Sequence, residues 1–155
     1  MKNSRWIHNY DNFRKSLGLF KINVAFVNEI YFQHDYKKYD YVKDAIWFDM
    51  PDLYKQGLVK SFECTFDMAW RLFKDHAEEN NQFDIKDYNQ SIAYALKHEL
   101  IQNKQLWKQM IESKTLALYS FQLESAMLIC DSCVSHYLQE FQTLKETLNN
   151  ILNDI

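Results

Sequence analysis

GLVKSFECTFDMAWRLFKDH, residues 57–76, decides how the rest of this chain is read. Phe62, Phe66, Ala69, Trp70 and Phe73 recur at the spacing that gathers side chains onto one face of an α-helix. Pro51 upstream suits a first helical position, after Asp49 or Met50, because its missing N–H would have no intrahelical partner there. The helix is expected to run on to Asn80 and Asn81.

The same period extends outward. Trp6, Tyr10, Phe13, Leu17, Phe20, Val24, Val27 and Tyr31 follow one another at spacings of 4-3-4-3-4-3-4, which predicts a helix from Ser4, a plausible N-cap, to Phe32. Gly18 interrupts the pattern at a cost of about 1 kcal/mol relative to Ala, which the length of the seam outweighs. Shorter helices are expected at 85–99, burying Ile92, Ala95, Leu96 and Leu100, and at 103–118, burying Leu106, Trp107, Met110 and Ile111. A last long helix begins near Leu123 and carries Ala126, Cys130, Cys133, Tyr137, Phe141, Leu144, Leu148 and Ile151.

Residues 33–49 lose the period. HDYKKYDYVKD, residues 34–44, is dense in Tyr, Lys and Asp, and Lys37, Lys38 and Lys43 are offset by Asp35, Asp40 and Asp44. It reads as an irregular, solvated connection with room for a short helical turn, the rival reading being a partner or RNA contact. No segment reads as a strand. The expected architecture is all-α: one domain over 1–155, an up-and-down bundle of three long and two shorter helices. Leu17, Val24, Phe66, Trp70, Tyr137 and Phe141 should share one core.

Composition agrees. The 155 residues are 47% hydrophobic and 16% aromatic, enough for a sizeable core rich in rings, and two Gly and one Pro argue against a turn-rich β architecture. A net charge of -3 lacks the global positive field of a non-specific nucleic-acid binder. No apolar run is long enough to span a membrane. MKNSRWIHNYDNF has no signal-peptide core, and with three Cys it points to a reduced, cytoplasmic protein.

The order of motifs resembles the bacterial nucleotidyltransferase substrate-binding proteins, HEPN-fold partners of minimal nucleotidyltransferases, some of which are HepT-type RNase toxins. Arg5-Trp6, Tyr10-Asp11-Asn12-Phe13 and Lys15-Ser16-Leu17 look like the family's opening helix. Phe62 to Trp70 is similar to its aromatic-acidic motif. Ala93-Tyr94-Ala95-Leu96 and Leu100-Ile101 resemble a short helix with its closing turn, although His98-Glu99 stand where Gly is common. Leu106-Trp107 and Met110 introduce the functional segment. The resemblance implies a separate nucleotidyltransferase as partner, a homodimer whose motif helices form a cleft, and a nucleotide or RNA as the bound species.

In active relatives that segment carries Arg, four residues, His, and a Tyr two residues on. Counted from Trp107 and Met110, those positions hold Lys114, Tyr119 and Phe121. Metal-independent RNA cleavage needs a group that exchanges a proton near neutral pH, as His does and an ordinary phenol near pKa 10 does not. Lys offers phosphate a point charge in place of a planar fork, and Phe121 has no hydroxyl to accept a nucleotidyl group. No catalytic residue is therefore assigned. The binding cleft is expected to involve Glu63, Asp67, Lys114 and Tyr119, in a non-catalytic partner of the toxin–antitoxin kind. The alternative is an RNase toxin with a displaced or residual active site.

The remaining candidates read as structural. Glu63 and Asp67 share a helix face, but without a nearby His or further carboxylates they do not make a metal site. Cys130 and Cys133 form C-x-x-C on an apolar seam, with no second pair, and suit small core residues. His8, His34, His76, His98 and His136 are scattered, with no i, i+4 pair. Neither Gly opens a phosphate loop. No metal and no cofactor is expected.

Overall fold

The computed structural model describes residues 5–33 and 40–154, so the proposed Ser4 cap, His34 and the Lys37–Lys38 pair lie outside the described residues. Helices α1 (Arg5–Tyr31), α2 (Asp40–Asp49), α3 (Asp52–Glu79), α4 (Tyr88–Lys97), α5 (Lys104–Leu116), α6 (Leu123–Ser132) and α7 (Leu138–Asn153) follow in order. A 3-10 turn, Ala117–Tyr119, closes α5, and a π turn, Cys133–Tyr137, joins α6 to α7 into one continuous long helix. Among the described residues there is no strand.

Side-chain pairings give the directions. Arg5 reaches Glu78 at the end of α3, while Ser16 meets Thr65 at 3.1 Å, so α1 and α3 are antiparallel. Trp107 packs on Phe73 and Lys114 reaches Glu63, so α5 is antiparallel to α3. Lys55 O accepts from Cys130 Sγ and Phe62 stacks on Tyr137, so α6–α7 runs parallel to α3. The long elements and α5 thus alternate up, down, up, down.

The 4-3 seam of α1 is buried from Trp6 to Val27. It meets the face of α3 that holds Leu58, Phe62, Phe66, Ala69 and Phe73. The centre is Phe141, fully buried, which touches Phe13 and Phe20 of α1, Phe62 of α3 and Trp107 of α5, with ring centroids 5.8–6.3 Å apart. Edge-on and tilted rings at this separation add to the area they bury.

The last seam explains the π turn. Ala126, Cys130, Cys133, Tyr137 and Phe141 are spaced 4-3-4-4, one residue more than an alternating 3-4 seam accommodates. The N–H of Leu138 donates to Cys133 O, a wider turn that absorbs the extra residue and keeps both Cys133 and Tyr137 buried.

Three expectations change. Residues 40–49 form a ten-residue helix where an irregular connection was expected, which makes three shorter helices in place of two. Val42, Ile46, Trp47 and Met50 supply its inner face, with Trp47 against Phe32 at 4.8 Å; the charges interleaved around them mask that period. Lys43, read as offset by the acids beside it in the chain, pairs instead with Asp131 of α6 at 3.1 Å. Trp70 is half-buried, not in the core. Its ring lies at the periphery with Tyr88 edge-on at 5.4 Å and Lys74 5.9 Å from its centroid.

Two helix ends close alike. Asn81 takes φ 62° and Gln82 N–H donates to Ala77 O at 2.8 Å; Glu99 takes φ 57° and Leu100 N–H donates to Ala95 O at 2.9 Å. Asn takes this left-handed position readily, whereas a Glu adopts it at a cost of roughly 1–2 kcal/mol. The resemblance had marked 98–99 as a place where Gly is common.

Phe141→Ala should cost about 3–5 kcal/mol in urea unfolding, because the cavity opens between four helices. Trp70→Ala should cost clearly less. Glu99→Gly should gain about 0.5–1 kcal/mol, the relieved strain exceeding the chain entropy that Gly adds; a loss of stability would contradict the strained-turn account.

Candidate functional site

Glu63 and Asp67 lie one turn apart on α3, and Lys114 comes to them from the last turn of α5. Its Nζ donates to Glu63 Oε2 at 3.1 Å and to Asp67 Oδ2 at 3.0 Å. All three side chains are at most 30% exposed. The antiparallel run of α5 along α3 sets this meeting, fixed by Trp107 packing on Phe66 and Phe73. Tyr88 of α4 donates to the other Asp67 oxygen at 3.5 Å and sets its ring edge-on to Phe66.

Burial alone would lower the Lys114 pKa. The hydrogen bonds and charges of Asp67 and Glu63 outweigh it, so the ammonium titrates above the ordinary lysine value. Tyr88 is also raised, first by burial and then by the Asp67 charge. One cation between two carboxylates leaves the cluster net negative. Two of the three N–H donors of Lys114 are thus taken, and a phosphate would have to approach the third against the charge of both carboxylates.

Of the four expected cleft residues the structure brings together Glu63, Asp67 and Lys114. Tyr119 stands apart on the 3-10 turn, 50% exposed, its ring beside Phe121 at 6.4 Å. Leu118 and Phe121 are more exposed still, at 73% and 78%. No His is among the described side chains bonded to Lys114.

The cysteines behave as core. Burial pushes the Cys130 thiol up to about 12 and the Cys133 thiol well above its ordinary value. One constellation escapes a linear reading. His76 of α3 and His98, just beyond α4, flank Tyr94, whose hydroxyl lies 2.7 Å from His76 Nδ1 and whose ring lies 4.2 Å from that of His98. Burial, and then the charge of His98, lowers the His76 pKa. The two His are twenty-two positions apart, and the return of α4 along α3 brings them to the same tyrosine. Among the described residues no three His, Cys, Asp or Glu side chains are grouped to hold a metal.

The chain is matched over residues 8–150 by the family model described as nucleotidyltransferase substrate binding protein like. It belongs to that family, whose description names the binding of a nucleotidyltransferase's substrate. No curated protein matches the chain. None of the described helices is long and apolar enough to cross a membrane.

Lys114→Met should leave Glu63 and Asp67 facing each other and lower stability at neutral pH by roughly 1.5–3 kcal/mol, the range for hydrogen bonds to charged groups. The folded-state pKa of Lys114 is raised, so its contribution is complete below the unfolded lysine value and is lost as pH rises through the folded one. Thermal denaturation of the two proteins should therefore differ by a constant amount from neutral to mildly alkaline pH and converge only above about pH 10. In the native protein Cys130 and Cys133 should resist a thiol reagent until urea unfolds the bundle, since the thiolate is the nucleophile.

Proposed function

We propose that this chain is a non-catalytic binding partner of a separate, minimal nucleotidyltransferase, in a toxin–antitoxin-like pair, and that it works as a homodimer. The observation that carries the reading is the occupation of Lys114. At the position where active relatives are expected to carry Arg, this chain has a lysine already bonded to two carboxylates. At the His position it has an exposed tyrosine. The tyrosine is not the imidazole that such cleavage uses, and the lysine charge is balanced by two carboxylates before any phosphate arrives.

Between docking the transferase and presenting a nucleotide or RNA, the geometry favours docking. The Glu63–Lys114–Asp67 group is net negative and suits a cationic protein surface better than a phosphate. Leu118, Tyr119 and Phe121 offer exposed apolar area at the end of the same α5 segment.

The test is to read the genes beside this chain for a minimal nucleotidyltransferase and to co-express the two. The two should co-purify, and Phe121→Asp should weaken the complex without unfolding the bundle. The purified chain should not cleave RNA above background, since acid–base catalysis by the missing His typically contributes 10²–10⁴-fold (about two to four orders of magnitude). Lys114→Arg with Tyr119→His is the variant in which some cleavage should return. Robust cleavage by the unaltered chain, abolished by replacing one of its five His, would overturn the reading in favour of an RNase toxin.

A further inference from the structure

Trp70 is the indole that the bundle leaves half-buried, while Trp6, Trp47 and Trp107 are 6%, 1% and 0% exposed. It forms one wall of a cavity of about 310 Å³ lined by Arg5, Asn9, Trp70, Arg71, Lys74 and Asp75, between the first turns of α1 and the last turns of α3. Helical spacing builds that wall. Trp70 and Lys74 stand one turn apart on α3, and so do Arg71 and Asp75. The volume lies at the lower end of the range for ligand pockets, roughly 300–1,000 Å³.

Three cations and one carboxylate line this cavity, in a chain whose net charge is -3. The cations are not equivalent. Arg5 is held by acids: its Nε lies 3.4 Å from Asp75 Oδ1, its Nη1 lies 3.4 Å from Glu78 Oε2, and its backbone N–H donates to Glu79 Oε1 at 3.1 Å. Asp75, buried, also accepts from Asn9 Nδ2. These contacts fasten α1 to α3 and balance the Asp75 charge. Arg71 and Lys74 are the surplus. Among the described residues neither is in an ion pair. Lys74 Nζ lies 5.9 Å from the Trp70 centroid, a weak contact where water reaches it. Two other clefts offer no such surplus: the one between α2 and α6 sets Lys43 against Asp44, Glu124 and Asp131, and the one at the starts of α3 and α6 sets Lys55 against Asp52.

We infer that this cavity binds the ring-and-phosphate unit of a nucleotide, with the ring on the face of Trp70 and the phosphate on Arg71 and Lys74. Each part answers to a property of the ligand. A half-exposed indole offers a flat face on which a base stacks. Arg71 presents a planar fork to phosphate oxygens, and Lys74 adds an ammonium on a flexible stem. As the ring settles, Lys74 leaves the indole for the phosphate and exchanges a weak contact for a charge-assisted hydrogen bond. Asn9, with its amide nitrogen on Asp75, keeps a carbonyl oxygen that accepts from a ring amine. The unit is the same in a free nucleotide and at the end of an RNA strand. None of these residues belongs to the Lys114 group, and the inference does not rest on a transferase partner.

Tryptophan fluorescence of the purified chain tests it, because Trp70 is the indole that a ligand reaches. AMP should quench the emission, and neither adenosine nor inorganic phosphate should match it at the same concentration. Trp70→Phe should abolish the quenching, while calorimetry still finds AMP bound, since a benzene ring also stacks. Trp70→Ala should weaken binding roughly 5- to 100-fold, the usual span for one stacked base. Arg71→Gln with Lys74→Gln should lower the affinity roughly tenfold or more, with an unchanged circular dichroism spectrum. An end-phosphorylated oligoadenylate RNA separates the two sources of the unit: an affinity equal to that of AMP marks a site for the free nucleotide, and a tighter one marks a site for a strand. Absence of quenching by both AMP and the RNA would overturn the proposal. So would quenching that persists in Trp70→Phe, quenching by adenosine or phosphate equal to that by AMP, or binding indifferent to the loss of Arg71 and Lys74.

Discussion

Phe141 is the residue on which the bundle closes. Four helices send a ring to it or carry it, and each ring is itself buried. Aromatics are stiff, so fixing one ring fixes the height at which each helix passes its neighbours. The register of α5 against α3 follows from Trp107, held between Phe66, Phe73 and Phe141 and tied through its indole N–H to Glu140 at 2.8 Å. That register, and no feature of the polar residues themselves, carries Lys114 to Glu63 and Asp67.

The long helices were legible in the chain because their apolar periods are long and unbroken. α1 and α3 needed only the recurrence of rings and aliphatics, and the order of motifs pointed to the family whose model the chain matches. α2 was not legible. Its inner face rests on Val42, Ile46, Trp47 and Met50 amid charged and aromatic neighbours, and one short amphipathic turn after another looks like a loop until a partner covers it. Trp70 misled for the opposite reason: it fits the helical period but falls on the margin of the buried face, where Tyr88 and Lys74 share it with solvent. The doubled four-residue spacing at Cys133–Tyr137–Phe141 stands in the sequence, but it becomes a π turn only because the fold buries both Cys133 and Tyr137.

The site was half legible. Residue types and spacing placed Glu63 and Asp67 on one helix face, and motif order singled out Lys114. No linear reading could say that the lysine would be claimed by both carboxylates, since fifty-one and forty-seven residues separate it from them. A lone lysine in a cleft attracts phosphate; one held between two acids is a structural cation. The same residues thus support different chemistry once their distances are known. The His76–Tyr94–His98 group makes the same point at a place where no motif directed attention.

The position of α1 in the chain has a consequence for how the protein is made. Its inner seam is covered by α3 and α7, and Tyr10 hydrogen-bonds to Asn149, 139 residues away. During synthesis α1 can pair with α3 once that helix has followed it, but the side of the seam that meets α7 stays open until Leu138–Asn153 has been made. For that interval the rings of Phe13 and Phe20 lack the Phe141 ring that covers them in the finished bundle. The order of elements therefore makes this a chain that completes its core late, with one side of α1 open to other nascent chains, and to the chaperones that shield them, until α7 arrives.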